Sequence, residues 1–297
     1  MAARIIDGNA IAHMVRADWR AKVDALRAHR TEPGLAVVIV GDDPASRVYV
    51  RHKTRACAEV GIRSEVVEFP VDATEAAVLE RIAELNADPS VHGILVQLPL
   101  PPHFDTRRMI EAIAVHKDVD GFNLYNVGSL VAGESIFPPC TPFGVLCMLE
   151  YSNIPIAGQN VVVVGASNIV GKPMASMLMK RDATVAITHI MTRDLAQWTI
   201  LADILVVAAG KPNLITGPMV RTGAVVIDVG INRLADGRLV GDVDFEAVRQ
   251  KASYITPVPG GVGPMTVTML LVNTIKAAQR AAGVDVSNLD AKELAAA

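Results

Sequence analysis

The chain has 297 residues, 51% hydrophobic but only 4% aromatic, and its 28 basic and 31 acidic side chains leave a net charge of −3. That length holds one large or two ordinary domains, and an aliphatic core suits parallel sheets covered by helices better than a β-sandwich. The charge balance gives no nucleic-acid footprint, and three cysteines without a CxxC pair argue against a disulfide framework or a thiolate metal site.

The N-terminus carries charges throughout and lacks the apolar core of a signal sequence. The charge-free run 252–275 is broken by prolines and glycines, so it is a poor membrane span. The reading is a cytoplasmic protein in a reducing compartment. In chain order, the patterns predict a helix over about 8–30, a strand at 35–40, and a second helix over about 44–60 opened by GDDP. A strand at 64–69, a helix at about 74–85 and a strand at 92–98, stopped by prolines, follow. Periodicity is lost over 116–141, which reads as loop, and a helix resumes at 142–151. Strands at 161–164, 183–188, 203–209 and 224–230 form a second βα series of nucleotide-binding type. A helix over about 264–282 comes last, on a course that returns it to the first domain, and the tail 288–297 reads as loose. Two domains are expected: 1–140, joined by the C-terminal helix 264–297, and 141–263.

The run VVVVGASNIVGKPM, 161–174, carries the first chemical signal. Gly165 lets the chain turn sharply after a buried strand, and the helix from about Ile169 presents unpaired N–H groups to an anion. Ser167 stands where the usual fingerprint has a glycine and offers a hydroxyl; Gly171 permits close helix–strand packing. Taken alone, the pattern fits a ligand-free βα turn about as well as a dinucleotide site. The next strand ends at Thr188 and His189, with no carboxylate before Asp194. A carboxylate there would serve the ribose of NAD and repel the 2′-phosphate of NADP, so its absence favours NADP. Arg193 is the local cation; it reads equally as a solvated surface charge. His189 reads as a satisfied strand-end histidine.

The helix at 44–60 carries the second signal. Arg47, Arg51 and Arg55 form a solvated basic stripe, while Lys53 falls in a mostly apolar face with Val50, Ala56, Cys57 and Val60, one turn after Tyr49. One reading is a lysine that snorkels past its neighbours. The other is a desolvated ammonium with a lowered pKa, held by the Tyr49 hydroxyl and able to exchange protons near neutral pH. Gln97 ends its strand just before a proline, and ligands of open α/β sheets bind beyond carboxyl ends of strands. Tyr49, Lys53 and Gln97 are therefore expected to converge.

YVRHK (49–53), GILVQLPLP (93–101), KDVDGFN (117–123), PPCTP (138–142), GASNIVGKPM and PVPGGVGPMT (257–266) occur in order along nearly the whole chain. Together they resemble the bifunctional methylenetetrahydrofolate dehydrogenase/cyclohydrolase family. The resemblance implies an α/β protein with an N-terminal parallel-sheet catalytic domain, a C-terminal Rossmann-like NAD(P)-binding domain and a folate cleft between them. It implies Tyr49, Lys53 and Gln97 as the catalytic set and Asp120 as a pterin ligand. The glycine-rich stretch Pro259, Gly260, Gly261 and Val262 would line the folate site. Thr141, Gly230 and Ile231 would lie near the nicotinamide, and Gly165, Ala166, Ser167, Gly171, Ile190 and Arg193 would bind the rest of NADP. It also implies tetrahydrofolate one-carbon derivatives as ligands, a homodimer formed through the nucleotide-binding domain, and a place in one-carbon metabolism that feeds purine biosynthesis. No metal, nucleic acid or membrane is called for. One departure matters: many members carry Arg in place of Ala166 and Ser or Arg in place of Ile190, so the residues here leave NAD use open. A monofunctional dehydrogenase, a Rossmann dehydrogenase of another substrate and a non-catalytic nucleotide sensor are the competing readings.

Overall fold

The computed structural model describes residues 2–283; the tail at 288–297, and the expected extension of the last helix to 297, lie outside them. In chain order the first elements are β1 (Arg4–Ile5), α1 (Gly8–Ala28), β2 (Gly34–Val40), α2 (Pro44–Val60), β3 (Arg63–Phe69), α3 (Glu75–Ala87), β4 (Gly93–Val96), α4 (Thr106–Glu111) and α5 (Leu124–Val131). There follow α6 (Cys140–Tyr151), β5 (Asn160–Val164), α7 (Gly171–Met179), β6 (Thr184–Thr188), α8 (Leu195–Thr199), β7 (Ile204–Val207) and β8 (Val225–Asp228). The chain closes with β9 (Asn232–Arg233), β10 (Leu239–Val240), α9 (Phe245–Arg249), β11 (Tyr254–Ile255) and α10 (Val262–Ala281). It divides into two compact units, one of residues 14–140 with 267 onward, the other of residues 1–13 with 141–266.

The first unit is built on a parallel sheet in the order β3-β2-β4. The central strand, GLAVVIV, is buried at all seven positions, which is why it reads as an unbroken apolar run rather than an alternating one. Val38, Ile82, Leu85, Ile94 and Met109 belong to the core beneath it, each contributing about 1.5–3 kcal/mol by burial. The turn into α2 follows from GDDP: the Asp43 carboxylate accepts from the Ser46 N–H at 2.7 Å, Pro44 fits the first helical position, and Gly61 closes the far end at φ +85°.

The second unit holds a six-stranded sheet, β1-β11-β8-β7-β5-β6, whose pairings are all parallel. Its core gathers Val162, Val164, Leu205, Val207, Val226 and Ile255. The two-residue strands β1 and β11 are too short to show alternation, and β1 brings the N-terminal residues into this sheet.

The region expected to be loop at 116–141 contains α5. Its first turn is capped by Asn123, whose side chain accepts from the Tyr125 N–H at 2.9 Å. Two turns with Gly128 inside carry too little periodicity to be read, and a helix this short depends on tertiary packing of Asn126 and Leu130. The strand expected at 92–98 is regular only over β4, although Gln97 still donates its N–H to Val38 at 2.8 Å.

Candidate active site

In the first unit, α2 delivers Lys53 and the end of β4 delivers Gln97 to the same place. Lys53 Nζ donates to Gln97 Oε1 at 2.9 Å, and Gln97 Nε2 donates to the Leu98 carbonyl at 2.6 Å. That second bond orients the amide, so its oxygen faces the lysine. Both residues are half-buried. Burial pulls the Lys53 ammonium below its ordinary value, while the nearby Asp120 carboxylate acts in the other direction. Asp120, also half-buried, is pushed up to about 6 by desolvation, opposed by the positive charge of Lys53. Tyr49, one turn before Lys53, is exposed, and its hydroxyl makes no hydrogen bond among the described residues. Lys53 is therefore held by the Gln97 amide and not by the Tyr49 hydroxyl, a phenol whose own pKa is pushed up by burial.

Two residues that sequence reasoning passed over shape the Asp120 loop. The buried Asp118 carboxylate accepts from the Gly121 N–H at 3.2 Å, the Asn123 N–H at 2.8 Å and Asn126 Nδ2 at 2.8 Å, folding DVDGFN into a tight turn. Asn273, fully buried on α10, donates Nδ2 to the Val119 carbonyl at 2.8 Å and the Pro138 carbonyl at 3.0 Å. It thus clamps the residue before Asp120 to the segment before Cys140. An Asp two positions from another Asp is the signal for Asp118; for Asn273, in an apolar helix run, the signal is a lone buried amide with no local partner.

In the second unit, β5 ends at Val164 and Gly165 turns at φ +118°, a backbone that side chains rarely adopt. A Cβ on Gly165 would collide with the Ala208 carbonyl, and one on Gly171 with the Gly165 carbonyl, so the turn, the loop after β7 and α7 are packed backbone to backbone. Ser167 Oγ accepts from the Val170 N–H at 3.1 Å and the Gly171 N–H at 3.3 Å, capping α7 itself. Ala166 is half-buried; Ile190 is 95% exposed at the end of β6, and Arg193 is exposed without a hydrogen bond among the described residues. His189 Nδ1 accepts from the Met191 N–H at 3.2 Å and its own N–H donates to Thr192 Oγ1 at 2.9 Å, a local turn that satisfies it. Gly230 is buried after β8, Ile231 is exposed, and Thr141 Oγ1 lies 3.0 Å from Thr266 Oγ1. In the stretch Pro259, Gly260, Gly261 and Val262, the Gly260 carbonyl accepts from the Asn9 N–H at 3.2 Å at the start of α1.

A glycine turn packed at the carboxyl end of a parallel sheet, on a chain that also carries a desolvated lysine bonded to an amide, defines a dinucleotide-dependent enzyme with acid–base capacity. Residues 6–120 match the tetrahydrofolate dehydrogenase/cyclohydrolase catalytic domain, and residues 139–282 match the NAD(P)-binding domain of the same family. The chain is 65% identical to the bifunctional protein FolD of Nitrosospira multiformis over 281 residues, 95% of this chain and 98% of that one. The FolD crystal structure from Campylobacter jejuni superposes with a TM-score of 0.92 at 51% identity, covering 94% of this chain and 99% of its own. The Trypanosoma brucei methylenetetrahydrofolate dehydrogenase-cyclohydrolase, solved with NADP and an inhibitor, gives a TM-score of 0.91 at 41% identity, with 94% and 98% covered. The chain belongs to the tetrahydrofolate dehydrogenase/cyclohydrolase family.

Proposed function

We propose that the chain oxidises 5,10-methylenetetrahydrofolate to the 5,10-methenyl cation with NADP and then hydrolyses that cation to 10-formyltetrahydrofolate. The observation that carries the reading is the Lys53–Gln97 bond of 2.9 Å in a half-buried setting. A sensor that only binds nucleotide has no use for a desolvated ammonium oriented by an amide. NADP, when bound, supplies the hydride acceptor. The residues present fit it: a Cβ at Gly165 or Gly171 would collide with backbone carbonyls, so both positions need the glycines that a dinucleotide-binding turn uses for its tight turn and close helix–strand packing, and β6 ends in Thr188 and His189 with no carboxylate to repel a 2′-phosphate. Gly165, Ala166, Ser167 and Gly171 would hold the diphosphate side, Ile190 and Arg193 the adenosine side, and Thr141, Gly230 and Ile231 the nicotinamide.

In the hydrolytic step water adds to the methenyl carbon and the adduct loses a proton; the remaining hydroxyl proton is transferred to N5 as the C–N5 bond breaks, leaving the formyl group on N10. Lys53 moves the proton, with Gln97 Oε1 fixing where the ammonium points and Tyr49 orienting the reacting group. Asp120 binds the pterin, and Pro259, Gly260, Gly261 and Val262 line the folate. On this reading residues 14–140, with the C-terminal helix from 267, form the folate-binding part; residues 1–13, expected with it, instead join 141–266 in the nucleotide-binding part because β1 pairs with β11. Among the described residues no helix is long and apolar enough to cross a membrane. The buried free thiols Cys57, Cys140 and Cys147 support a reducing cytoplasmic setting, and the product would supply formyl groups to purine biosynthesis. A homodimer through the nucleotide-binding unit is supported by β6, an edge strand with Ile187, Ile190 and Met191 exposed around it.

The test is an initial-rate assay on 5,10-methylenetetrahydrofolate with NADP⁺ and NAD⁺ in parallel, following methenyl and reduced-nicotinamide absorbance. Faster turnover with NADP⁺ is expected. Preference for NAD⁺ would mean that Ala166 and Ile190 changed the cofactor, and no turnover with either would overturn the enzymatic reading.

A further inference from the structure

Two buried carboxylates in the nucleotide-binding unit belong to neither the turn at Gly165 nor the lysine site. Asp228 ends β8 and is 4% exposed; Asp242 lies before α9 and is fully buried. Asp228 Oδ1 accepts from the Gly230 N–H and the Asp242 N–H, each at 3.0 Å, and Oδ2 accepts from the Val243 N–H at 3.0 Å. Asp242 Oδ2 accepts from the Ala209 N–H at 2.7 Å and the Gly210 N–H at 2.8 Å, and Oδ1 from Asn232 Nδ2 at 2.8 Å. Neither has an ion-pair partner among the described residues.

The pair interlocks through two glycines. A Cβ at Gly230 would collide with the Asp242 carboxylate, and one at Gly241 with the Asp228 carboxylate. The two loops so tied, 208–210 after β7 and 229–232 after β8, leave the sheet at its carboxyl edge, and the first is the loop whose Ala208 carbonyl packs against Gly165. Burial and the neighbouring Asp242 charge push Asp228 up to about 7 despite its amide donors. Two carboxylates buried without a cation are an expensive way to join loops, and apolar residues would do it at less cost to stability. What they add is a fixed backbone geometry, because each carboxylate oxygen dictates where an N–H must lie.

We propose that Asp228 and Asp242 are positioning residues for hydride transfer, fixing the Gly230–Ile231 backbone that would meet the nicotinamide and tying it to the Ala209–Gly210 loop. This rests on the reading that Gly230 and Ile231 adjoin the nicotinamide. A displacement of an ångström at a reacting centre is worth about 10²-fold in rate.

The experiment compares Asp242→Asn, Asp228→Asn and the milder Asn232→Ala, which removes one donor to Asp242 and spares both carboxyls. It measures kcat and KM for NADP⁺ in the oxidation, and separately the hydrolysis of methenyltetrahydrofolate, which uses no nucleotide. The expected result is a fall in dehydrogenase kcat/KM of about 10- to 100-fold for the aspartate variants. A smaller fall is expected for Asn232→Ala, with hydrolysis unchanged in all three. Parallel loss of both activities in Asn232→Ala, or intact oxidation in every variant, would overturn the proposal. Ile231→Asp separates the two readings. If it slows oxidation while the aspartate variants do not, only the positioning role fails; if it has no effect, the nicotinamide assignment itself fails.

Discussion

Replacing Lys53 by Met removes the ammonium and keeps an unbranched chain of similar length, so it separates chemistry from packing. A positioned acid–base group contributes about 10²- to 10⁴-fold, or about 3–5 kcal/mol of barrier. The structure says what happens to stability. Burial lowers Lys53, so the folded state holds that proton less tightly than the unfolded chain does. For a depressed lysine the favourable contribution exists above the unfolded value of about 10.4 and is lost as pH falls through the folded value; the charged form is therefore a burden that Met relieves. Against this, Gln97 Oε1 loses its donor at 2.9 Å, worth about 0.5–1.5 kcal/mol and partly replaced by water at a half-buried site. The two terms oppose each other. Hydrolysis of methenyltetrahydrofolate, followed by loss of its absorbance, should fall by about 10²-fold or more while the melting temperature stays near that of the parent. Retained hydrolysis would refute the proton-moving role, and a collapse in melting temperature would refute the electrostatic reasoning behind it.

Gly165→Ala places a Cβ against the Ala208 carbonyl at a φ of +118°, a backbone strain of about 1–3 kcal/mol before any rearrangement. NADP affinity measured by nucleotide titration should drop about tenfold or more with hydrolysis preserved; unchanged affinity would show that the turn does not bind the cofactor. Asp120→Asn should raise the folate KM, and because the Asp120 charge raises Lys53, its loss should move the basic limb of the hydrolysis profile to lower pH; a coincident profile would break that coupling. Asp228, desolvated by burial and facing Asp242, is pushed up to about 7, so its contribution to stability is present below about 3.9 and lost as pH rises through about 7. Urea midpoints of Asp228→Asn should therefore decline less between pH 4 and pH 7 than those of the parent, and parallel curves would count against the shift.

The repetitive parts of the fold were legible because burial on both faces of a parallel sheet leaves continuous runs such as LAVVIV and VVVV, and because α2 announces itself with an aspartate cap, a proline and a closing glycine. What escaped was short or held from far away. β1 and β11 pair only two residues each, Arg4 with Tyr254 and Ile5 with Ile255, across nearly the whole chain. No local pattern encodes such a pairing. Lys53 and Gln97 could be matched in sequence only because each ends or interrupts an apolar pattern with a polar group. Asp118, Asn273, Asp228 and Asp242 act mainly through backbone groups, and a backbone partner leaves no trace in side-chain identity, so only weak local signals such as the Asp118–Asp120 spacing point to them.

Ser167 shows the difference between a residue that completes a pattern and one that replaces it. The sequence suggests that its hydroxyl stands in for a missing glycine by offering a donor to a phosphate. In the structure its oxygen instead accepts two of the amides at the start of α7, those of Val170 and Gly171. Those N–H groups are then spent within the turn, so a phosphate bound there would have to meet the amides nearer Gly165 and the hydroxyl proton that remains. The close approach that a third glycine would have permitted is provided elsewhere, by Gly165 against Ala208 and Gly171 against Gly165. The fingerprint with a part missing is thus a shorter cradle whose rim is a side chain, and its shape depends on the loop after β7 staying where Asp242 holds it.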